Sequence, residues 1–129
     1  MEPNPSNQRA FMQSTQVIDP EAIANLRALS PDDADAFLSE IIGIFIEDTP
    51  SRIAELRSSR VNGDIPTFTR AAHSIKGSSS NLGASQLRAV AEQLEHHSKL
   101  HGLTDVDERV AELEAAFIRA RDELKRLVA

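Results

Sequence analysis

Apolar residues recur along most of this chain at intervals of three and four positions, the spacing that places side chains on one face of an α-helix. The pattern appears in one short and four long segments after residue 18, and no segment alternates apolar and polar residues as a strand would. The connections between the last helices are short, which favours antiparallel neighbours. The pattern therefore predicts an all-α fold, an up-down-up-down four-helix bundle with a short extra N-terminal helix.

Small polar residues, prolines and glycines suggest where these helices begin and end. Pro50 interrupts the second pattern, so either that helix kinks there or Thr49 caps a new one. Residues 1–16 are polar and contain Pro3 and Pro5, which predicts a disordered N-terminal tail or linker before a bundle of residues 17–129. We predict that the five helices begin at Asp19, at residues 30–33, at Asp64, near Ala84 and at Thr104.

The third helix carries the most informative pattern. On a helical wheel of about 100° per residue, its core stripe spans roughly 80° and His73 lies about 110° from the centre of that stripe. His73 is therefore expected to face solvent, and Thr69, Lys76 and Ser80 fall on the same flank. The residues assigned to the core stripe are Ile65, Phe68, Ala72, Ile75 and Ser79.

Gly77 stands one turn after His73, in the interior of the predicted helix. Glycine costs about 1 kcal/mol relative to alanine at such a position. Its benefit would be clearance, because a missing side chain lets a bulky group approach the imidazole. Lys76, three residues after His73, could place its ammonium group beside an anion carried by the ring. A neutral imidazole is nucleophilic near pH 7, so the arrangement suits a histidine that another protein must reach.

Residues 71–84, AAHSIKGSSSNLGA, closely resemble the signature of histidine-phosphotransfer (HPt) domains. Leu87 and the run 93–95 resemble the continuation of that signature, and residues 45–50 resemble the preceding helix of the family. The resemblance covers about residues 20–128. A histidine followed by Lys at +3, Gly at +4 and Gly-Ala at +10 and +11 is a fairly specific combination.

The resemblance implies that His73 accepts a phosphoryl group and that Lys76 steadies it. It also implies that Gly77 gives clearance to the partner and that Gly83 ends the helix. Thr69 would contact the partner, and Ser80 would contact the phosphate or the partner. The protein would then be a phosphorelay carrier between receiver-domain aspartates, with sensor or hybrid histidine kinases and response-regulator receivers as partners. Mg²⁺ and most catalytic groups would belong to the receiver, so we expect a phosphotransfer intermediate without a cofactor of its own rather than a stand-alone kinase.

Two other interpretations remain open from the residues. The bundle could be the phosphoacceptor segment of a histidine kinase, phosphorylated from ATP by a catalytic domain. It could instead be a structural or metal-binding bundle, because His97 and His101 have the i,i+4 spacing of a metal pair. The acids at Asp32, Asp33 and Asp35 are better explained as residues at a helix start.

Composition narrows the choice of partners. The formal net charge is −6, and the chain has no Trp, Tyr or Cys. An acidic chain without stacking residues does not suit nucleic acid, and cysteine-ligated zinc is impossible. No segment is apolar for long enough to span a bilayer. We therefore expect a cytoplasmic protein that is a monomer and binds neither nucleic acid nor membrane.

Overall fold

The computed structural model of the protein describes residues 16–128. The predicted tail lies outside these residues except for Gln16, whose carbonyl oxygen accepts a hydrogen bond of 3.0 Å from the backbone N–H of Gln86. The described residues form the helices α1 (Pro20–Ala28), α2 (Ala34–Asn62), α3 (Ile65–Asn81), α4 (Ser85–His101) and α5 (Asp107–Leu127).

The four long helices form a closed ring, in which α2 packs on α3 and α5, and α4 also packs on α3 and α5. The predicted four-helix bundle with a short additional N-terminal helix is therefore confirmed. Leucine, isoleucine, phenylalanine and alanine side chains fill the space between the helices. Among the large side chains that are fully buried are Leu38, Leu56, Phe68, Ile75, Leu87, Leu94, Leu113 and Leu124.

Helix α2 runs without interruption through Pro50, so Thr49 does not begin a new helix. The Thr49 hydroxyl instead donates a hydrogen bond of 2.7 Å to the carbonyl oxygen of Phe45. That bond keeps the buried hydroxyl satisfied within the helix. The helix is thus long enough to span the full height of the bundle beside α3.

Two predicted helix starts lie two or three residues too early, because the N-caps are Asp33 and Val106 rather than Ser30 and Thr104. Residues 30–33 form a turn, and α2 begins at Ala34. Helix α5 begins at Asp107 rather than at Thr104, because Asp105 has a φ of 58° and so cannot belong to a right-handed helix. The Thr104 hydroxyl donates to the carbonyl oxygen of His101 at 2.8 Å, which places Thr104 in the turn after α4.

Ile65 is 41% exposed, although the wheel assigned it to the core stripe. It is the first residue of α3, where the neighbouring helices no longer cover the apolar face. Ala71 is buried instead, which broadens the stripe. The rest of the predicted stripe is buried.

Gly83 fixes the junction between α3, α4 and α1. It has a φ of 68°, and a Cβ at this position would lie 2.6 Å from the Cβ of Ala22 and 3.1 Å from the carbonyl oxygen of Asp19. The Gly83 carbonyl oxygen also accepts a hydrogen bond of 2.8 Å from the backbone N–H of Asp19. Glycine is therefore required here both for the left-handed backbone and for the close approach of α1. The short helix consequently rests on the turn that joins α3 to α4.

Candidate functional site

His73 lies midway along α3, on the edge that faces α4. Its side chain is 65% exposed, as the helical wheel predicts. The Nδ1 atom lies 2.7 Å from Oε2 of Glu95 on α4. One ring nitrogen is thus held by the protein, while the exposure of the ring leaves the opposite edge open to solvent.

Glu95 is the centre of the site. Its side chain is 8% exposed, and its Oε1 lies 2.6 Å from Nζ of Lys76. Its Oε2, which contacts His73, also lies 3.4 Å from Nζ of Lys99. A buried carboxylate is therefore surrounded by an imidazole and two ammonium groups.

Burial raises the pKa of Glu95, but the hydrogen bonds and charges of Lys76 and His73 outweigh it and lower this pKa to about 2. The carboxylate is therefore ionised at neutral pH and can only accept hydrogen bonds. It follows that Nδ1 of His73 carries a proton, and that in the neutral form of the ring Nε2 holds the free electron pair. The site therefore presents an accessible nitrogen nucleophile of defined tautomer.

A hydrogen bond between α3 and α4 holds the two helices in the register that this contact needs. The Ser98 hydroxyl, one turn after Glu95, donates to the carbonyl oxygen of Glu95 at 2.9 Å. The hydroxyl oxygens of Ser98 and Thr69 are 2.7 Å apart. Ser98 is buried, so this polar link is shielded from water. It fixes Glu95 opposite His73, one turn along each helix.

The other residues predicted for the site lie on the same flank but in different surroundings. Thr69 is partly buried and is linked to Ser98, as described. Ser80 is exposed, and its hydroxyl accepts a hydrogen bond of 2.8 Å from Nε of Arg88. Gly77 is exposed, and a Cβ there would meet no atom within 4 Å. The structure thus has open space at Gly77, as the sequence predicts. The roles predicted for Thr69, Ser80, Lys76 and Gly77 stay predictions.

Glu95 is the site residue that the sequence analysis missed. It was noticed only as part of the resemblance to a family signature. A signal was present, because Glu95 follows Leu87, Ala91 and Leu94 along the buried stripe of α4. A charged residue on an apolar stripe needs a partner, and such an exception marks a candidate site.

The depressed pKa of Glu95 leads to a prediction about stability. The ordinary pKa of this carboxyl is 4.5 and the folded-state pKa is about 2, so the unfolded chain takes up the proton first as the pH falls. The stabilisation is intact above about pH 5 and is lost progressively towards pH 2. Between pH 6 and pH 3 we expect the free energy of unfolding of the wild type to fall by roughly 2 kcal/mol more than that of Glu95→Gln.

Urea unfolding of the two proteins at several pH values measures this difference. Parallel stability curves from pH 6 to pH 3 would show that the contacts of Glu95 do not stabilise the fold.

One histidine of the pair near the end of α4 contacts the turn that follows this helix. The rings of His97 and His101 are 5.1 Å apart, and Nε2 of His97 lies 2.7 Å from the carbonyl oxygen of Thr104. Within residues 16–128, no group of three or more His, Cys, Asp or Glu side chains is arranged to hold a metal ion. Over the same residues, no helix is long and apolar enough to cross a membrane.

Comparison with known sequences finds a family and a relative. Residues 40–128 match the model of the Hpt domain. The multistep phosphorelay regulator 1 of Schizosaccharomyces pombe is 28% identical over 90 residues, which are 70% of this chain and 30% of that protein. The chain thus spans about a third of the length of this curated relative.

Comparison with solved structures finds the same fold. Histidine-containing phosphotransfer protein B of Pseudomonas aeruginosa matches with a TM-score of 0.78 and 24% identity, over 88% of this chain and 96% of that one. The HPT domain of a sensor hybrid histidine kinase from Shewanella matches with a TM-score of 0.69 and 12% identity, over 87% and 93% of the two chains. At these identities the likeness establishes the architecture of the bundle.

Proposed function

The chain belongs to the Hpt domain family, and from this premise we propose that it acts as a phosphorelay carrier and that His73 carries the phosphoryl group on its Nε2 atom. One observation carries this assignment. The exposed imidazole of His73 is held through Nδ1 by the buried carboxylate of Glu95 at 2.7 Å. That contact leaves Nε2 as the nucleophile and points it towards an incoming partner.

The reaction on this side consists of one displacement. The electron pair of Nε2 attacks the phosphorus of a phospho-aspartate, the P–O bond breaks, and the aspartate leaves as a carboxylate. The Nδ1 proton stays on the ring, so the phosphorylated imidazole is a cation whose positive charge lies against the Glu95 carboxylate. In the reverse step Nε2 leaves phosphorus as a neutral ring nitrogen. The same contact thus supports both acceptance and donation.

Lys76 is proposed to steady the phosphoryl group. It is one helical turn from His73, and its side chain is 26% exposed, so part of this side chain is open to solvent beside the site. An ammonium group is a suitable point charge for the phosphoryl oxygens. Thr69 and Ser80 border the surface on which a partner would dock.

The proposed partners are receiver domains that present a phosphorylated or a free aspartate, together with the sensor or hybrid histidine kinases that supply them. The name of the relative from Schizosaccharomyces pombe, a multistep phosphorelay regulator, supports this choice. Mg²⁺ would be bound by the receiver, so this chain would supply the nucleophile, the lysine and the docking surface. We propose that it acts as a cytoplasmic monomer, and its net charge of −6 favours proteins over nucleic acid as partners.

A transfer assay tests the proposed function. The protein is mixed with a receiver domain that carries labelled phospho-aspartate, and an unphosphorylated second receiver is then added. We expect acid-labile label to appear on this protein first and on the second receiver afterwards. Label that never appears on this chain with any receiver of the same organism would contradict the proposal.

Gly77 offers a test of the docking geometry. Gly77→Leu places a large side chain in open space one turn from His73, so we expect transfer from a phosphorylated receiver to slow by at least about tenfold. Phosphorylation by phosphoramidate, a small donor, should be unchanged. Gly77→Ala is the matched control, because it adds only a methyl group and should raise the free energy of unfolding by about 1 kcal/mol. Equal slowing with both donors would argue that Gly77 acts on His73 itself rather than on docking.

A further inference from the structure

We propose that Lys99 takes over the neutralisation of Glu95 when Lys76 turns towards the phosphoryl group on His73. This inference rests on the proposed function and deepens it. It assigns Lys99 as a positioning residue that frees the phosphate-binding lysine. In the unphosphorylated protein Lys76 binds Oε1 of Glu95 at 2.6 Å, so Lys76 must weaken or leave that contact to serve a phosphoryl group.

The burial of Glu95 is what makes a replacement cation necessary. Its side chain is 8% exposed, so little water contacts the carboxylate. An ionised carboxylate without a partner is strongly disfavoured in such surroundings. The positive ring of phosphorylated His73 faces Oε2, so departure of Lys76 takes away the cation that now binds Oε1. Without a further cation, Glu95 would therefore retain Lys76 and compete with the phosphoryl group for it.

Lys99 is placed for this exchange. It lies one turn after Glu95 on α4, and its Nζ is 3.4 Å from Oε2, longer than the roughly 2.8 Å of a charged hydrogen bond. Its side chain is 60% exposed, so a small rotation can close the gap. Lys76 and Lys99 approach different oxygen atoms of Glu95, so one can bind more tightly while the other departs.

The test compares Lys99→Gln in three backgrounds. Each protein is phosphorylated with phosphoramidate at neutral pH, in a step that breaks a P–N bond of the donor, releases ammonia and forms the bond from phosphorus to Nε2. In the wild-type background we expect Lys99→Gln to shorten the half-life of the phosphohistidine by about three- to tenfold. The effect should vanish in a Lys76→Gln background, where no lysine has to be freed. It should also vanish in a Glu95→Gln background, where no buried charge needs a cation.

Two controls define the result. Lys99→Arg retains a cation within reach of Glu95 and should restore the wild-type half-life. Lys125→Gln removes the same charge from an exposed position on α5 and should have no effect. If Lys99→Gln shortens the half-life equally in the Glu95→Gln background, Lys99 acts on the phosphate directly and the exchange is refuted. An unchanged half-life in the wild-type background refutes it as well.

A spectroscopic measurement follows the exchange directly. Lys76, Lys99 and Lys125 are the only three lysines of the chain, so ¹⁵N-lysine labelling gives three side-chain ammonium signals. Phosphorylation should shift the signals of Lys76 and Lys99 together and leave that of Lys125 in place. A shift of Lys76 alone contradicts the exchange. If His73 takes up no phosphoryl group at all, the proposed function fails too, and that failure is recognised separately by the absence of phosphohistidine.

Discussion

Replacement of His73 by glutamine is expected to abolish phosphoryl acceptance, reducing acid-labile label to background while the bundle stays folded. Glutamine is uncharged, has about the length of the imidazole and can still donate an amide N–H to Glu95, but it has no nucleophilic nitrogen. Because the His73 side chain is 65% exposed, the free energy of unfolding should change by less than about 1 kcal/mol. Label transfer from a phosphorylated receiver, followed by thermal unfolding of both proteins, measures the two quantities.

His96→Gln is the matched control for this experiment. His96 is also an exposed histidine on the surface of the bundle, one residue after Glu95 on α4, and it should be labelled as strongly as the wild type. Equal labelling of His73→Gln and the wild type would show that a residue other than His73 accepts the phosphoryl group. Loss of label from His96→Gln alone would do the same.

The sequence alone predicts the exposed part of the site, which consists of residues on α3. The position of His73 relative to the core stripe depends only on the helical period, and the burial of Phe68, Ala72 and Ile75 fixes which face of α3 points outwards. Lys76 and Gly77 share that helix, so their placement beside His73 follows from the same period. The helical period of α3 therefore predicts every residue of the site that lies on this helix.

The buried part of the site, Glu95, could not be predicted without knowing how α3 and α4 pack. Glu95 is 22 residues after His73, and no periodicity of a single helix relates the two. Their contact depends on the turn at Gly83 and on the link between Thr69 and Ser98, which set the register of the antiparallel pair. For the same reason the sequence placed Lys76 beside the phosphoryl group without showing that Glu95 already binds it.

The wrong helix start at Thr104 also has a tertiary origin. Thr104 is a good N-cap residue by type, but Val106 is fully buried. Asp105 takes up a left-handed conformation in the turn before it. The burial of Val106 and the turn together delay α5 until Asp107. Capping preference is a weaker influence than the placement of an apolar side chain in the core.

Replacement of Glu95 by glutamine is expected to slow phosphoryl transfer by about 10- to 100-fold, although residue 95 touches no part of the phosphoryl group. The carboxylate holds Nδ1 of His73 at 2.7 Å, keeps the proton there, and would neutralise the positive ring that the proposed phosphorylation creates. An uncharged amide cannot neutralise the ring, and it does not fix the position of the ring proton, because its oxygen accepts hydrogen bonds while its nitrogen donates them. Its NH₂ group can donate to Nδ1, which would move the ring proton to Nε2 and block the nucleophile.

The tautomer provides a readout that a purely structural role for Glu95 would not change. In ¹⁵N spectra of the imidazole at a pH where the ring is neutral, the wild type should show the Nδ1–H form and Glu95→Gln should shift towards Nε2–H. Glu95→Asp retains the charge on a side chain one methylene shorter and should recover part of the rate and of the wild-type tautomer. If Glu95→Gln transfers phosphoryl groups at the wild-type rate with an unchanged tautomer, the charge of this carboxylate is not needed to orient the ring, because that charge would have been removed without consequence.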